Sequence, residues 1–505
     1  MLRISSDNFI LVVLFFYSYL ANSQDKYDYQ WVIGYDTTVS KQYGNGILLN
    51  FNDVPVNVSL LKTINNFSME GSNTSICDEN GKLLFYSNGC NVLDARGMIM
   101  ENGDSINPGL VQSSHCPSGN PASQGVIALP APGSKNLYYL FNLDLDIPYF
   151  MMPQYVGIAP ERIYYCMIDM SLNSGFGKVV LKNQIALKDT FGRSNLQATK
   201  HANGIDWWLI APKSHTNCYF LTLLSSAGIQ PSVLKCSGED FNDADLQGQA
   251  VFSPDGKKFI RFLPRNGLNI YDFNNETGDL TSPVRISFDQ DTFHVAGVAV
   301  SANSRYLYAS ALKKIYQFDL HASDVEASKL LIGVWDGYAD PYPTVFYLSA
   351  LAPDGKIYIA GTSTHNYLHI IHQPNCQGQN CKFEQRGLKL PGYNFISITN
   401  IPHYRSQNIT LPCDSIMVSS KGINNSTSVF LYPNPAQEYI IIDAENKLPE
   451  ATIEIYDLLM RRIIHRKITE NIVKIDLKNI ENGIYTLLVK SNDAIIAVEK
   501  IIIEK

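Results

Sequence analysis

The sequence predicts an all-β chain: a ring of small sheets followed by a compact two-sheet domain. Three observations carry this reading. A turn-and-strand pattern returns along most of the chain. Apolar and polar residues alternate cleanly near the C-terminal end. No stretch sustains the 3.6-residue apolar period of an amphipathic helix over several turns.

The N-terminal residues read as a targeting segment. Arg3 precedes the apolar run Phe9–Tyr17, and small residues follow at Ala21 and Ser23, which predicts a signal peptide over 1–23 cleaved after Ser23. No later run is long and apolar enough for a transmembrane helix, so no transmembrane segment is expected in the mature chain.

From Gln24 to Gln407 one pattern recurs: a tight turn, then a basic or polar residue, then an aromatic-rich strand. It reads Asp78-Glu79-Asn80-Gly81-Lys82, then Pro132-Gly133-Ser134-Lys135, then Asn203-Gly204-Ile205-Asp206. It returns as Ser253-Pro254-Asp255-Gly256-Lys257, Ser301-Ala302-Asn303-Ser304-Arg305 and Pro353-Asp354-Gly355-Lys356. The later copies lie about 50 residues apart, the length of a four-stranded antiparallel unit. Glycine or asparagine in the turn supplies the positive φ that a tight hairpin needs. A lone unit of this kind cannot bury both faces, so the units stack radially and close a ring. The expectation is a β-propeller of seven blades, within a range of six to eight. Its seventh blade would join Trp31–Gly34 and Gly46–Asn52 to Ile396–Tyr404.

Composition removes some function classes. The formal net charge of −7 excludes a sequence-independent nucleic-acid binder, which needs a basic face. With 45% hydrophobic residues the chain is not disordered. Nine cysteines in an exported chain allow disulfides. Cys376 and Cys381 bracket a short loop and are expected to pair. Cys218 with Cys236 and Cys90 with Cys116 are further pairs, while Cys77 and Cys166 read as buried thiols.

Candidate chemistry is sparse. There is no nucleophile elbow, no His-Glu-x-x-His zinc site and no phosphate-binding loop. His365 and His369 share a strand face and His372 points the other way, which disfavours a three-histidine metal site. Asp240, Asp243 and Asp245 crowd one loop with oxygen donors suited to Ca²⁺, the single cofactor the sequence suggests. Asp144 and Asp146 alternate along a strand as a possible acid/base pair. Two loops are rich in aromatics, Tyr149, Phe150 and Tyr155 in one and Trp335, Tyr338 and Tyr342 in the other. Aromatics on loops held by a rigid scaffold suit contact with a sugar or a protein, or they cap the core. Trp207 and Trp208 are adjacent in a strand and face opposite neighbours.

Residues 408–428 turn polar and read as a linker. Beyond them, Val473, Ile475 and Leu477 lie on one strand face while Lys474, Asp476 and Lys478 lie on the other. Every strand with one apolar face needs a partner sheet, so 429–505 is predicted to be a β-sandwich of about seven strands.

Specific motifs sharpen this picture. Asn434-Pro435, Tyr456-Asp457, Gly483 and Tyr485 occupy the recurring positions of a sorting domain that the chain resembles. That domain is the C-terminal (type A) sorting signal of the type IX secretion system. The preceding region, with Asp78–Gly89, Tyr164–Leu172, Phe252–Lys258, Tyr271–Phe273 and Gln373–Cys376, is similar to secreted Bacteroidetes propellers that carry this signal. The resemblance implies recognition by the type IX machinery, secretion across the outer membrane, and a place on the cell surface or in the medium. It implies no reaction and supplies no catalytic residues. The function expected is a binding or adhesion module for a glycan or envelope protein. A secreted carbohydrate-active enzyme or a structural part of the envelope or gliding apparatus stands as the alternative.

Overall fold

The computed structural model describes residues 25–35, 46–61, 67–109, 112, 116, 118–144, 160–192, 194–241, 248–288, 295–404, 413, 429–434, 436–444, 451–457, 461–468, 470, 472–491 and 494–505. The segment predicted as a signal peptide and nearly all of the predicted linker lie outside them. The chain divides into two compact units, Met1–Ser415 and Ile416–Lys505.

Among its described residues the first unit holds seven antiparallel sheets, blades 1 to 7 in chain order. Blades 2 to 7 each start at an innermost strand: Thr74–Cys77, Val126–Pro130, Gln197–Lys200, Gln249–Phe252, Gly297–Val300 and Ser349–Leu351. The six turns singled out in the sequence join these strands to the second strands of the same blades. In five of them a glycine holds the left-handed conformation, from Gly256 at φ +68° to Gly81 at φ +86°. The exception is Ser304, at φ +59°. Its hydroxyl accepts the backbone N–H of Asp255 at 3.0 Å, so the turn of blade 6 is tied to the turn of blade 5.

Two-residue periodicity explains how the blades stack. Neighbouring residues on one strand enter different cores, because successive side chains leave opposite faces of a sheet. Phe85 packs with Val126 between blades 2 and 3, and Phe141 with Leu209 between blades 3 and 4. Ile210 packs with Phe259 between blades 4 and 5, and Ile260 with Leu307 between blades 5 and 6. Tyr308 packs with Ile357 between blades 6 and 7. Tyr358 then meets Trp31 between blades 7 and 1, and Val32 meets Tyr86 between blades 1 and 2, which closes the ring. Trp207 and Trp208 follow the same rule and enter the cores on opposite sides of blade 4.

Ring closure differs from the expectation. Blade 7 is complete within Ser349–Asn394, and blade 1 takes its fourth strand from Ser68–Met69, not from Ile396–Tyr404. The 396–404 segment instead docks by individual contacts. Asn400 donates its backbone N–H to Asn73 O at 2.8 Å, and its carbonyl accepts from Thr74 Oγ1 at 2.9 Å. Its side chain supplies the rest of the attachment.

The disulfides also differ in one place. Cys218–Cys236 joins directly opposed residues of a hairpin, and Cys90–Cys116 is formed. Cys376, however, bonds to Cys413 and not to Cys381. The reason lies in the intervening chain. A 3-10 turn over Gly378–Cys381 carries Cys381 into the core between blades 6 and 7, where it is buried as a free thiol. Cys77 and Cys166 are buried free thiols as well.

The second unit has a three-stranded sheet of Val429–Tyr432, Tyr439–Ala444 and Ile472–Asp476. It also has a four-stranded sheet of Arg462–Ile468, Ala451–Tyr456, Gly483–Ser491 and Ala494–Ile503. One core joins them: Ile440, Ile442, Val473 and Ile475 from the first sheet meet Ile453, Ile455, Leu487 and Val489 from the second.

Candidate functional site

The loop aromatics foreseen as ligand contacts serve in part as a cap. The Trp335 indole donates to Tyr338 O at 3.2 Å, and its ring packs on the core between blades 6 and 7. The Arg386 guanidinium lies 4.4 Å from the centre of the Tyr338 ring and pairs with Asp336 at 2.5 Å. Tyr342 is exposed on the same loop. Tyr149, Phe150 and Tyr155 lie outside the described residues, as do Asp146, Asp243 and Asp245. Asp240 accepts the Asn217 N–H at 3.0 Å, beside the Cys218–Cys236 hairpin. Asp144 is buried and pairs with Arg162 at 3.0 Å.

His365 and His369 are both buried, and burial pushes their imidazoles down to about 4 and about 3. His372 stands apart, paired with Glu384 at 2.7 Å. Among the described residues no three His, Cys, Asp or Glu side chains gather as a metal site.

The residues that do converge were not foreseen. At the end of the ring where the chain enters the innermost strands there is a cavity of about 360 Å³. Glu70 and Gly71 reach it from the segment leading into blade 2, and Ser118, Gly119 and Pro121 from the segment leading into blade 3. Val295 and Tyr347 precede the inner strands of blades 6 and 7. Thr362 lies between two strands of blade 7, and Phe395 and Ile396 follow its last strand. Gly71 permits this assembly, because a Cβ there would lie 2.5 Å from Asn120 O. The wall is chiefly apolar, with Glu70 its one carboxyl group among these residues.

Glu70 is partly buried, and that burial raises its carboxyl above the usual range, opposed by a hydrogen bond from Ser68 Oγ at 3.1 Å. No basic side chain lines the cavity among the described residues. Among the described residues this is an acidic group held in a mostly apolar hollow without a counter-cation.

Among the inner strands lies a separate cavity of about 30 Å³, ringed by Gln124, Gln197, Gln249, Ser349 and Asn400. These amides are spent on one another and on the strands. Gln249 Nε2 donates to Ser349 O at 2.7 Å, and Gln124 Nε2 to Ala250 O at 2.8 Å. The space left suits a water or two, at about 10–15 Å³ each.

In the second unit the sorting motif residues are structural ties. Asn434 Oδ1 accepts the N–H of Ile502 at 2.8 Å, fastening the start of the domain to its last strand. Tyr485 OH donates to Glu481 O at 2.9 Å, and Asp457 holds Arg461 Nε at 2.7 Å. Tyr456 OH donates to Glu454 at 2.9 Å, and Gly483 opens a strand. Pro435 lies outside the described residues.

Fold and motifs define an exported β-propeller protein with a sorting domain. Residues 430–504 match the family model of the secretion system C-terminal sorting domain. That domain marks the chain for secretion across the outer membrane, to the cell surface or beyond it. No curated protein matches the chain. Among solved structures it is similar to the periplasmic gluconolactonase of Pseudomonas aeruginosa, at 12% identity and TM-score 0.41, covering 74% of this chain and 97% of that one. A putative 6-phosphogluconolactonase from Bacteroides uniformis gives 13% identity and TM-score 0.44, covering 73% and 97%. The Dos1 propeller gives 10% and 0.36, covering 65% and 86%. Likeness at this level transfers no activity. Among the described residues no helix is long and apolar enough to cross a membrane.

Proposed function

We propose that this chain is an exported binding module that holds a glycan, a surface polymer or another envelope protein over one mouth of the propeller. The observation that carries the reading is the 360 Å³ hollow at that mouth, walled by residues from blades distant in sequence. Rigid sheets hold its wall in place, which suits recognition without reorganisation. A two-carboxylate glycosidase needs a second acid about 5–9.5 Å from the first. The described lining offers Glu70 alone, which favours binding over hydrolysis.

The test uses the full secreted chain against isolated envelope polysaccharide and a glycan array, beside a variant with the hollow filled, Thr362→Trp. Loss of binding of about tenfold or more in a folded variant supports the reading. Undiminished binding removes it.

A further inference from the structure

We propose that the mouth cavity selects a group bearing an organic monocation, a protonated or quaternary amine flanked by an apolar face. This rests on the reading of the cavity as the binding site and adds the chemistry of its ligand. Three features of the hollow point the same way. Among the described residues its one carboxyl, Glu70, has Ser68 Oγ as its hydrogen-bond partner and no cation beside it. Its walls include Val295, Tyr347, Phe395 and Ile396, and the Phe395 side chain is 36% exposed. Its remaining polar groups, such as the hydroxyls of Ser118 and Thr362, are neutral.

An ionised carboxylate in apolar surroundings is costly unless an opposite charge meets it. A ligand cation would provide that charge, and an aromatic face attracts the same kind of group. An anionic ligand would face Glu70 with no basic residue in the described lining to offset the repulsion. A neutral ligand would leave the buried carboxylate uncompensated.

The full secreted chain is titrated at about pH 7 with three probes of similar shape: benzylamine, benzyl alcohol and benzoate. Benzylamine is expected to bind about tenfold more tightly than benzyl alcohol, with benzoate weakest. Glu70→Gln should bring benzylamine and benzyl alcohol within about twofold of each other without weakening the alcohol. Phe395→Ala should weaken both. Equal binding of amine and alcohol, a preference that survives Glu70→Gln, or no binding of any probe would overturn the inference. If Thr362→Trp abolishes envelope binding while no amine preference exists, the binding site stands and the ligand class falls.

Discussion

The side-chain amide of Asn400 donates to the carbonyl of Val126 at 2.9 Å, across 274 residues of chain. The same amide reaches Leu196 O at 3.1 Å, and its oxygen accepts from Gln197 Nε2 at 2.5 Å and from Gln124 Nε2 at 3.2 Å. One buried side chain thus joins the C-terminal segment of the ring to blades 3 and 4. Asn400→Ala would leave several buried partners unsatisfied and should cost about 2–4 kcal/mol, read from denaturant unfolding. A loss below about 0.5 kcal/mol would show that the segment is held elsewhere.

Glu70 should weaken the fold where it is ionised. Its folded-state pKa is raised by burial, so its favourable contribution is complete in acid and is lost as pH rises through that pKa. Glu70→Gln should therefore raise the melting temperature near neutral pH and change it little below about pH 4. A uniform effect across that range would contradict the assignment.

Glu454 is expected to behave in the opposite sense. Its carboxylate lies 2.5 Å from Lys490, 3.0 Å from Arg462 and 3.1 Å from His465. The Lys490 hydrogen bond, then those of Tyr456, His465 and Arg462, hold it down at about 2 against the effect of burial. The stability it contributes is present above the ordinary carboxylate range and fades as pH falls from about 4.5 toward about 2. Glu454→Gln should destabilise the sorting domain by about 1–3 kcal/mol at neutral pH. The difference from the parent chain should shrink in acid, as followed by pH-dependent melting.

Cysteine chemistry offers a direct check. Peptide mapping without reduction should recover Cys376 linked to Cys413, and Cys381→Ala should leave that linkage intact. Cys381 should resist alkylation until the chain unfolds, because burial pushes its thiol up to about 11. A Cys376–Cys381 peptide would reverse the assignment.

Ser304 holds a backbone conformation that the five matching turns assign to glycine. Its hydroxyl bond to Asp255 N offsets that strain. Ser304→Ala keeps the strain and loses the bond, so it should cost about 1–2 kcal/mol. Ser304→Gly loses the bond and the strain together and should lie closer to neutral. If alanine proves the milder change, the φ at this turn is not the governing factor.

Much of this architecture was legible because it is written in local periodicities. The six turns announce where inner strands meet second strands, and Val473, Ile475 and Leu477 announce the inner face of the sandwich. The Cys218–Cys236 bond follows from residues opposed in one hairpin. The mouth cavity left no such trace. Glu70, Val295, Tyr347 and Phe395 share no motif, and each is unremarkable beside its own neighbours; only ring closure brings them together. The partner of Cys376 is equally hidden, since short sequence separation says nothing about the direction in which a 3-10 turn sends a side chain. The 396–404 segment supplies no strand to the closing blade, because the contacts of Asn400 fasten it beside blade 2.

Because the amides around the narrow cavity are held by one another and by the inner strands, that space is filled by a water or two and by nothing larger. That packing leaves the Glu70 hollow as the larger of the two spaces described here, the one with room for an organic group rather than for solvent alone.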